Sequence, residues 1–584
     1  MKTAKLSFAL FLIITFNSFS QEMPNDKLAI YQLFTRLFGN NNTTNQFYGN
    51  RETNGVGKFS DINSKALKSI KQLGMTHVWY TGVIEHATMT DFSSYGIAKD
   101  HPLVVKGIAG SPYAIKDYYD INPDLADNVE QRMAEFEALI ARTHKEKLKV
   151  LIDFIPNHVA RQYNSDQGHA NFGENDDATK SFDVNNNFYY IQDRQFVIPE
   201  GVNPPVKWSA PYLEYPAKAT GNDVFNERPN INDWFETVKL NYGIDYLNNR
   251  TKHFSKTPDT WIKMRDILLF WASKGVDGFR CDMAEMVPVE FWAWVTKEVK
   301  SQYPDAIFIA EIYNPSLYKD YIFTGGFDYL YDKVGLYDAL RRLIEGHGNA
   351  SDITGVWQNE SGDYANHMLR FLENHDEQRI ASKEFAGDPF KALPAMALSA
   401  YLHDGPLMLY FGQELGVNPT KAEGFQSDDG RTTIFDYWGV DEVAAWNNGG
   451  KWNLAGLSAE QKELRKAYED IIKTAQKHEA ITSGAFYDLQ YVNVDGQSLN
   501  YDGNKMYSFL RYTENEKLLF VFNFNQQVSQ EFEFSIPAHA WEMMGMKSTG
   551  PVLATTEGDK IKFEKCEKIN LSLKPNSYVI YTIK

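Results

Sequence analysis

Eight short apolar runs, spaced by segments of helical period, constrain this chain more than any other feature. The runs are Leu28–Phe34, Thr76–Gly82, Lys149–Ile155, Val276–Asp282, Ala306–Ile312, Phe327–Tyr331, Met368–Glu373 and Leu407–Phe411. Each has the length and composition of a buried strand. Apolar residues recur with a 3.6-residue period in the segments between most of them, most clearly in Leu125–Glu146, Trp261–Ser273, Val289–Ser301 and Ala459–Lys477. Strands that alternate with helices form a parallel sheet, and eight is the number that closes a (β/α)8 TIM barrel of the α/β class. The third strand does not lead straight into its helix. About ninety residues, Val159 to Asn248, intervene, rich in Asn, Asp and Tyr and weakly periodic. A structureless loop of that length is uncommon in a compact domain, so a small inserted domain is expected there.

Beyond Lys477 the pattern turns to short alternating stretches such as Lys517–Asn523 and Ser577–Ile583, divided by turn residues such as Asp502-Gly503-Asn504. This predicts a C-terminal all-β sandwich. The expected organisation is a signal peptide over 1–20, a catalytic barrel over 21–158 and 249–482, an inserted domain over 159–248 and the β-sandwich over 483–584. The signal peptide rests on Lys2 and Lys5, the apolar stretch Leu6–Phe16, and the small residues Ser18 and Ser20 before Gln21. That stretch is too short to span a bilayer, so the expectation is export to a periplasm or the medium with no membrane anchor. The two cysteines, Cys281 and Cys566, fall in different domains and are expected as separate thiols. A net charge of -17 without a run of Lys or Arg argues against nucleic acid, whose phosphates need clustered cations.

Residues just past the C-terminal ends of barrel strands face the active site of such a fold. Those positions hold Asp153, Asn157 and His158 after the third strand, Arg280 and Asp282 at the fourth, Glu311 at the fifth, and His375 and Asp376 at the seventh. Four carboxylates at one barrel mouth are too many for structural roles alone, since acids are seldom fully buried. Glycoside cleavage uses such a set: one carboxyl kept protonated and one ionised. Arg280 lies two residues before Asp282, on the same strand face, and an adjacent guanidinium is expected to lower the Asp282 pKa. Glu311 sits in the apolar Ile309-Ala-Glu-Ile312, where desolvation is expected to raise its pKa.

The segments Asp153-Phe-Ile-Pro-Asn-His158, Gly278-Phe-Arg-Cys-Asp282, Glu311 and Glu373-Asn-His-Asp376 resemble, in order and spacing, the signature regions of the α-amylase superfamily, glycoside hydrolase family 13. Ser111–Ile121 resembles the stretch that precedes the third strand in that family. The resemblance implies Asp282 as nucleophile, Glu311 as general acid/base and Asp376 as the acid that holds two hydroxyls of the reacting sugar. It implies His158 and His375 as hydrogen-bond partners of that sugar, Arg280 as the group that orients Asp282, and Tyr113 as a ring stacked beneath it. The implied substrate is an α-glucan or maltooligosaccharide, with no cofactor required for the chemistry.

Two departures from the pattern matter. Many α-amylases carry a Lys-His pair after the nucleophile, whereas this chain has Met283-Ala-Glu-Met286. In Arg228-Pro-Asn-Ile-Asn232, Asn230 stands where the family usually has Asp. In calcium-dependent members that Asp and the counterpart of Asn157 help hold the ion, so the resemblance leaves a structural calcium at Asn157 open. Three functions remain at this level: hydrolysis of α-1,4 bonds in starch, glycogen or maltodextrins; transglycosylation or exo-acting α-glucosidase action on the same scaffold; and non-catalytic glucan binding. The third would ordinarily go with loss of a catalytic acid. Endo or exo action, tolerance of α-1,6 branches and oligomeric state depend on loops that the motifs do not report.

Overall fold

The structure is a computed structural model that describes residues 27–169, 171–494, 498–548, 550–555, 560–562 and 568–584. The expected signal peptide and Cys566 lie outside the described residues. Cys281 is a buried free thiol.

Eight parallel strands form one sheet: β1 (Ala29–Phe34), β2 (His77–Thr81), β3 (Lys149–Phe154), β4 (Gly278–Cys281), β5 (Ile307–Ala310), β6 (Tyr329–Tyr331), β7 (Met368–Leu369) and β8 (Leu407–Tyr410). Each pairs with its neighbour in chain order, and β8 returns to β1 through Ala29 opposite Leu407. A parallel bridge between Arg370 and Leu407 joins the β7 and β8 sides and closes the barrel. The strands read as continuous apolar runs because helices cover their outer side while side chains fill the inside. Ile30, Trp79, Leu151, Ile309, Tyr331, Leu369 and Met408, from seven different strands or strand ends, form one buried interior cluster. Strand β4 contributes no apolar side chain to it. Its inward positions are Gly278, where an added Cβ would lie 2.5 Å from the Ile307 carbonyl oxygen, and Arg280. The helices that the periodicity predicts appear at Arg132–Lys145, Asp259–Ser273, Val289–Gln302 and Ala459–Lys477. The first starts later than Leu125 because Pro123–Leu125 and Val129–Gln131 form separate 3-10 turns, each opened by an Asn side chain, Asn122 or Asn128.

Between β3 and the helix Asp259–Ser273 the strands among the described residues are short pairings: His158–Ala160 with Thr237–Lys239, Tyr190–Ile191 with Ala217–Lys218, and Ile244–Asp245 with Thr251–Lys252. Loop hydrogen bonds from Asn and Asp side chains do the remaining work, as at Asn187 and Asp176. That is why the segment carried no periodicity.

At the C-terminal end, a six-stranded sheet faces a two-stranded one, Gln530–Ser535 with Lys568–Leu573. The period of two places Met506, Leu510, Leu519 and Val521 against the small sheet. Tyr507, Phe509, Phe520 and Phe522, on the other face, join the cluster of the barrel domain. Tyr401, from the helix Leu393–Tyr401, packs its ring 5.4 Å from that of Phe520. The β unit is therefore seated on the barrel through an apolar face.

Candidate active site

The strand register sets the site. Arg280 pairs with Ile309 and Cys281 with Ala310, so the next residues, Asp282 and Glu311, emerge side by side at the ends of β4 and β5. The backbone continues that ladder: Glu311 N donates to Cys281 O at 3.1 Å and Asp282 N to Phe154 O at 2.9 Å. Met283 then takes the left-handed conformation, at φ 42°, a strained position for a side chain with a Cβ. That kink turns its N–H onto Glu311 Oε2 at 2.8 Å.

Arg280 is the hub. Its side chain is fully buried, and its guanidinium meets Asp282 Oδ1 at 2.9 Å, Glu311 Oε2 at 2.8 Å and Asp153 Oδ1 at 3.3 Å. Nε donates to the Tyr331 hydroxyl at 3.1 Å, and the rings of Trp79, Tyr113 and Tyr331 lie within 5.5 Å of its carbon centre. The expected division of labour, with Arg280 lowering Asp282 alone, is not what this geometry gives. The guanidinium is shared among three acids. Burial, and then the neighbouring Glu311 charge, push the Asp282 carboxyl well above the usual carboxylate range despite the arginine. Glu311 meanwhile accepts from the Met283 N–H and from the Tyr313 hydroxyl at 2.6 Å. Burial and the Glu311 charge hold the Tyr313 phenol protonated, so it stays a donor.

The other expected residues meet at the same place. One cavity of about 360 Å³ is lined by Tyr113, His158, Asp282, Glu311, His375 and Asp376, together with Trp234, Glu236, Lys106 and Tyr313. That volume lies within the range of small-ligand sites. Tyr113 stacks on His375, ring centres 5.0 Å apart. The Gln32 amide donates to His375 Nδ1 at 2.9 Å, which leaves the proton on Nε2, 3.1 Å from Asp376 Oδ2. Burial, and then Arg280, push His375 down to about 3, so the ring is neutral. His158 is likewise neutral, pushed down to about 3 by burial and then by Lys239. Glu373 and Asn374, also part of the fourth motif, do not face the cavity. Glu373 holds Arg379 at 2.9 Å and the Ile380 N–H at 2.7 Å, and Asn374 Oδ1 caps the turn by accepting from Asp376 N and Glu377 N. These two residues shape the loop that presents His375 and Asp376.

Asn157 does not fit a calcium ligand. Its Oδ1 accepts from Lys239 Nζ at 2.6 Å, and the same ammonium pairs with Asp223 at 2.6 Å while its side chain is 1% exposed. Asn230 is exposed and caps the Asn232 N–H at 2.7 Å. The cation at this junction is a lysine of the chain itself, carried on the strand that pairs with His158. Lys239→Met should therefore lower stability by about 1–3 kcal/mol, the scale of a charge-assisted contact left unpaired. A lower denaturant midpoint at unchanged slope would report it; an unchanged midpoint would mean that the ammonium holds nothing there.

The family description "Alpha amylase, catalytic domain" matches residues 32–487. The chain belongs to the α-amylase family. The α-amylase C-terminal all-β domain matches residues 497–584. Among relatives of this α-amylase family member, "Alpha-amylase 3" of Dictyoglomus thermophilum is 21% identical over 94% of this chain and 95% of its own. "Trehalose-6-phosphate hydrolase" of Bacillus subtilis is 22% identical over 88% and 91%. The crystal structure of an α-amylase from Geobacillus thermoleovorans, complexed with acarbose, superposes with a TM-score of 0.60 at 18% identity, covering 96% of this chain and 98% of that one. The protein is thus a glycosidase of the α-amylase family.

Proposed function

We propose that this α-amylase family member hydrolyses α-1,4-glucosidic bonds of starch, glycogen or maltodextrins by double displacement at Asp282 and Glu311. The observation that carries this reading is the Arg280 bridge: one guanidinium hydrogen-bonded to Asp282 at 2.9 Å and in ion-pair contact with Glu311 at 2.8 Å. Retaining glycosidases need their two carboxyls about 5–5.5 Å apart, and inverting ones about 6.5–9.5 Å. A planar cation gripped by both acids from adjacent strand ends suits the shorter spacing.

In the first step Glu311 gives its proton to the glycosidic oxygen while an Asp282 oxygen attacks the anomeric carbon. The aglycone leaves as an alcohol and the sugar stays as an ester of Asp282. In the second step Glu311 takes a proton from water, which attacks the same carbon and releases Asp282. His158, His375 and Asp376 hold the sugar in the cavity, and Tyr113 packs against its apolar face. Tyr313 and the Met283 N–H hold Glu311 in position through both steps. On the acceptor side the family's Lys-His pair is absent. The cavity wall instead carries Trp234 and the ion pair of Lys106 with Glu236, at 2.9 Å.

Incubation with maltoheptaose tests the reading. Products shorter than the substrate, with none longer, are expected. Products longer than maltoheptaose would move the chain to transglycosylation, and no cleavage at all would refute the substrate class.

A further inference from the structure

We propose that Glu85, Asp120 and Asp166 form a calcium site, distinct from Asn157, that clamps the chain beyond β3 to the antiparallel hairpin beyond β2. That hairpin pairs Ile84–His86 with Ile115–Ile121. It carries Glu85 on one strand and Asp120 on the other, while Asp166 arrives from the loop after the short strand His158–Ala160. One carboxylate oxygen from each of the three lies within 4.8 Å of the other two.

Clustered acids alone would say little, but Glu85 is unusual. It is 1% exposed, and neither of its carboxylate oxygens has a hydrogen-bond donor among the described residues. A buried carboxylate without a donor is costly, and here it faces two further acids. The nearby cations are engaged elsewhere. Lys116 pairs with Asp100 at 3.0 Å. Arg132 is spent on Asp120, its Nε donating to both oxygens at 2.9 Å and Nη2 to Oδ2, and it stands 4.0 Å from Asp166. The Gln167 amide spans Asp120 Oδ2 and Asp166 Oδ1, at 2.8 and 3.0 Å, and neither donor reaches Glu85. Fully ionised, the three carboxylates carry two more negative charges than Arg132 offsets, and a divalent cation would balance them. The donors are all hard oxygens, the set calcium prefers, with room for waters in an irregular shell. The Asp166 side chain is 16% exposed, which opens the cluster to solvent and to entry of an ion. Its own loop is fixed, since Asp166 N and Ser165 Oγ both donate to Asp117 Oδ2, at 2.9 and 2.8 Å.

The test uses the full chain, stripped with a chelator and desalted, then titrated with calcium chloride by calorimetry and by thermal melting, with magnesium chloride as the comparison. One calcium per chain and a melting temperature that rises with calcium are expected. Glu85→Gln and Asp166→Asn should each weaken calcium binding by about tenfold or more and remove the rise. Asp166, near the surface, keeps the test open should Glu85→Gln not fold. Absence of calcium binding in the wild type, wild-type affinity in either variant, or an equal effect of magnesium would overturn the assignment.

Discussion

Glu311→Gln should cut turnover of maltooligosaccharides by about 10²–10⁴-fold, the range for loss of a general acid/base, yet spare cleavage of α-glucosyl fluoride far more. The reason lies in the leaving group. A sugar alkoxide needs the Glu311 proton to depart, whereas fluoride leaves without one. Asp282→Asn should behave differently, losing activity on both substrates, because no covalent ester can form whatever departs. The two side chains sit on adjacent strand ends and share one guanidinium, so their roles separate only by chemistry. Comparing kcat/KM on the two substrates for both variants reads that difference directly. Equal losses on both substrates for Glu311→Gln would remove it from the acid role.

Arg280 is the second position with a large expected effect. Arg280→Met leaves Asp153, Asp282 and Glu311 buried without the cation that meets all three, and a broken buried pair costs about 3–5 kcal/mol. The deficit should depend on pH. Burial pushes Asp153 up to about 7 and raises Asp282 well above its usual range even with the arginine present. Carboxyls whose folded values exceed their unfolded ones keep protons longer in the folded state, so stability is present at low pH and falls as pH rises through those values. Removing the guanidinium steepens that fall, and the variant should lose more stability at pH 8 than at pH 5. Denaturant midpoints at the two pH values check this; an equal deficit at both would deny the electrostatic account. Arg280→Lys keeps the charge but not the fork. It should fold better than the Met variant while still losing about 10²-fold in kcat, the scale of a misplacement of about 1 Å.

Much of this was legible in the sequence. The eight apolar runs place the barrel strands to within a few residues, and the strand-end rule names His158, Asp282, Glu311, His375 and Asp376, which share one cavity with Tyr113, a residue that only the family resemblance implied. What escaped depends on contacts between distant segments. Nothing around Tyr313, Gln32 or Lys239 marks them in the chain, yet they touch Glu311, His375 and Asn157. The Glu85 cluster escaped for the same reason, its members lying on three segments that no single motif joins. The left-handed Met283 was invisible because its backbone is imposed by the strand end rather than by its own preference. The pKa expectation failed because burial, the largest effect on Asp282, is not written in the spacing to Arg280, and because only the register of β4 with β5 sets the Glu311 charge beside it. The Lys239 spacing likewise gave no hint that an ammonium stands where Asn157 left calcium open.

The most direct measurement is a trapping experiment on the Glu311→Gln variant. Given α-glucosyl fluoride, its first step needs no acid, while its second lacks the base that activates water, so the ester should accumulate. Mass analysis of the quenched, digested protein should then find one added hexosyl group, on the peptide that contains Asp282. A hexosyl group on another residue, or no adduct with release of the inverted anomer, would contradict double displacement at Asp282.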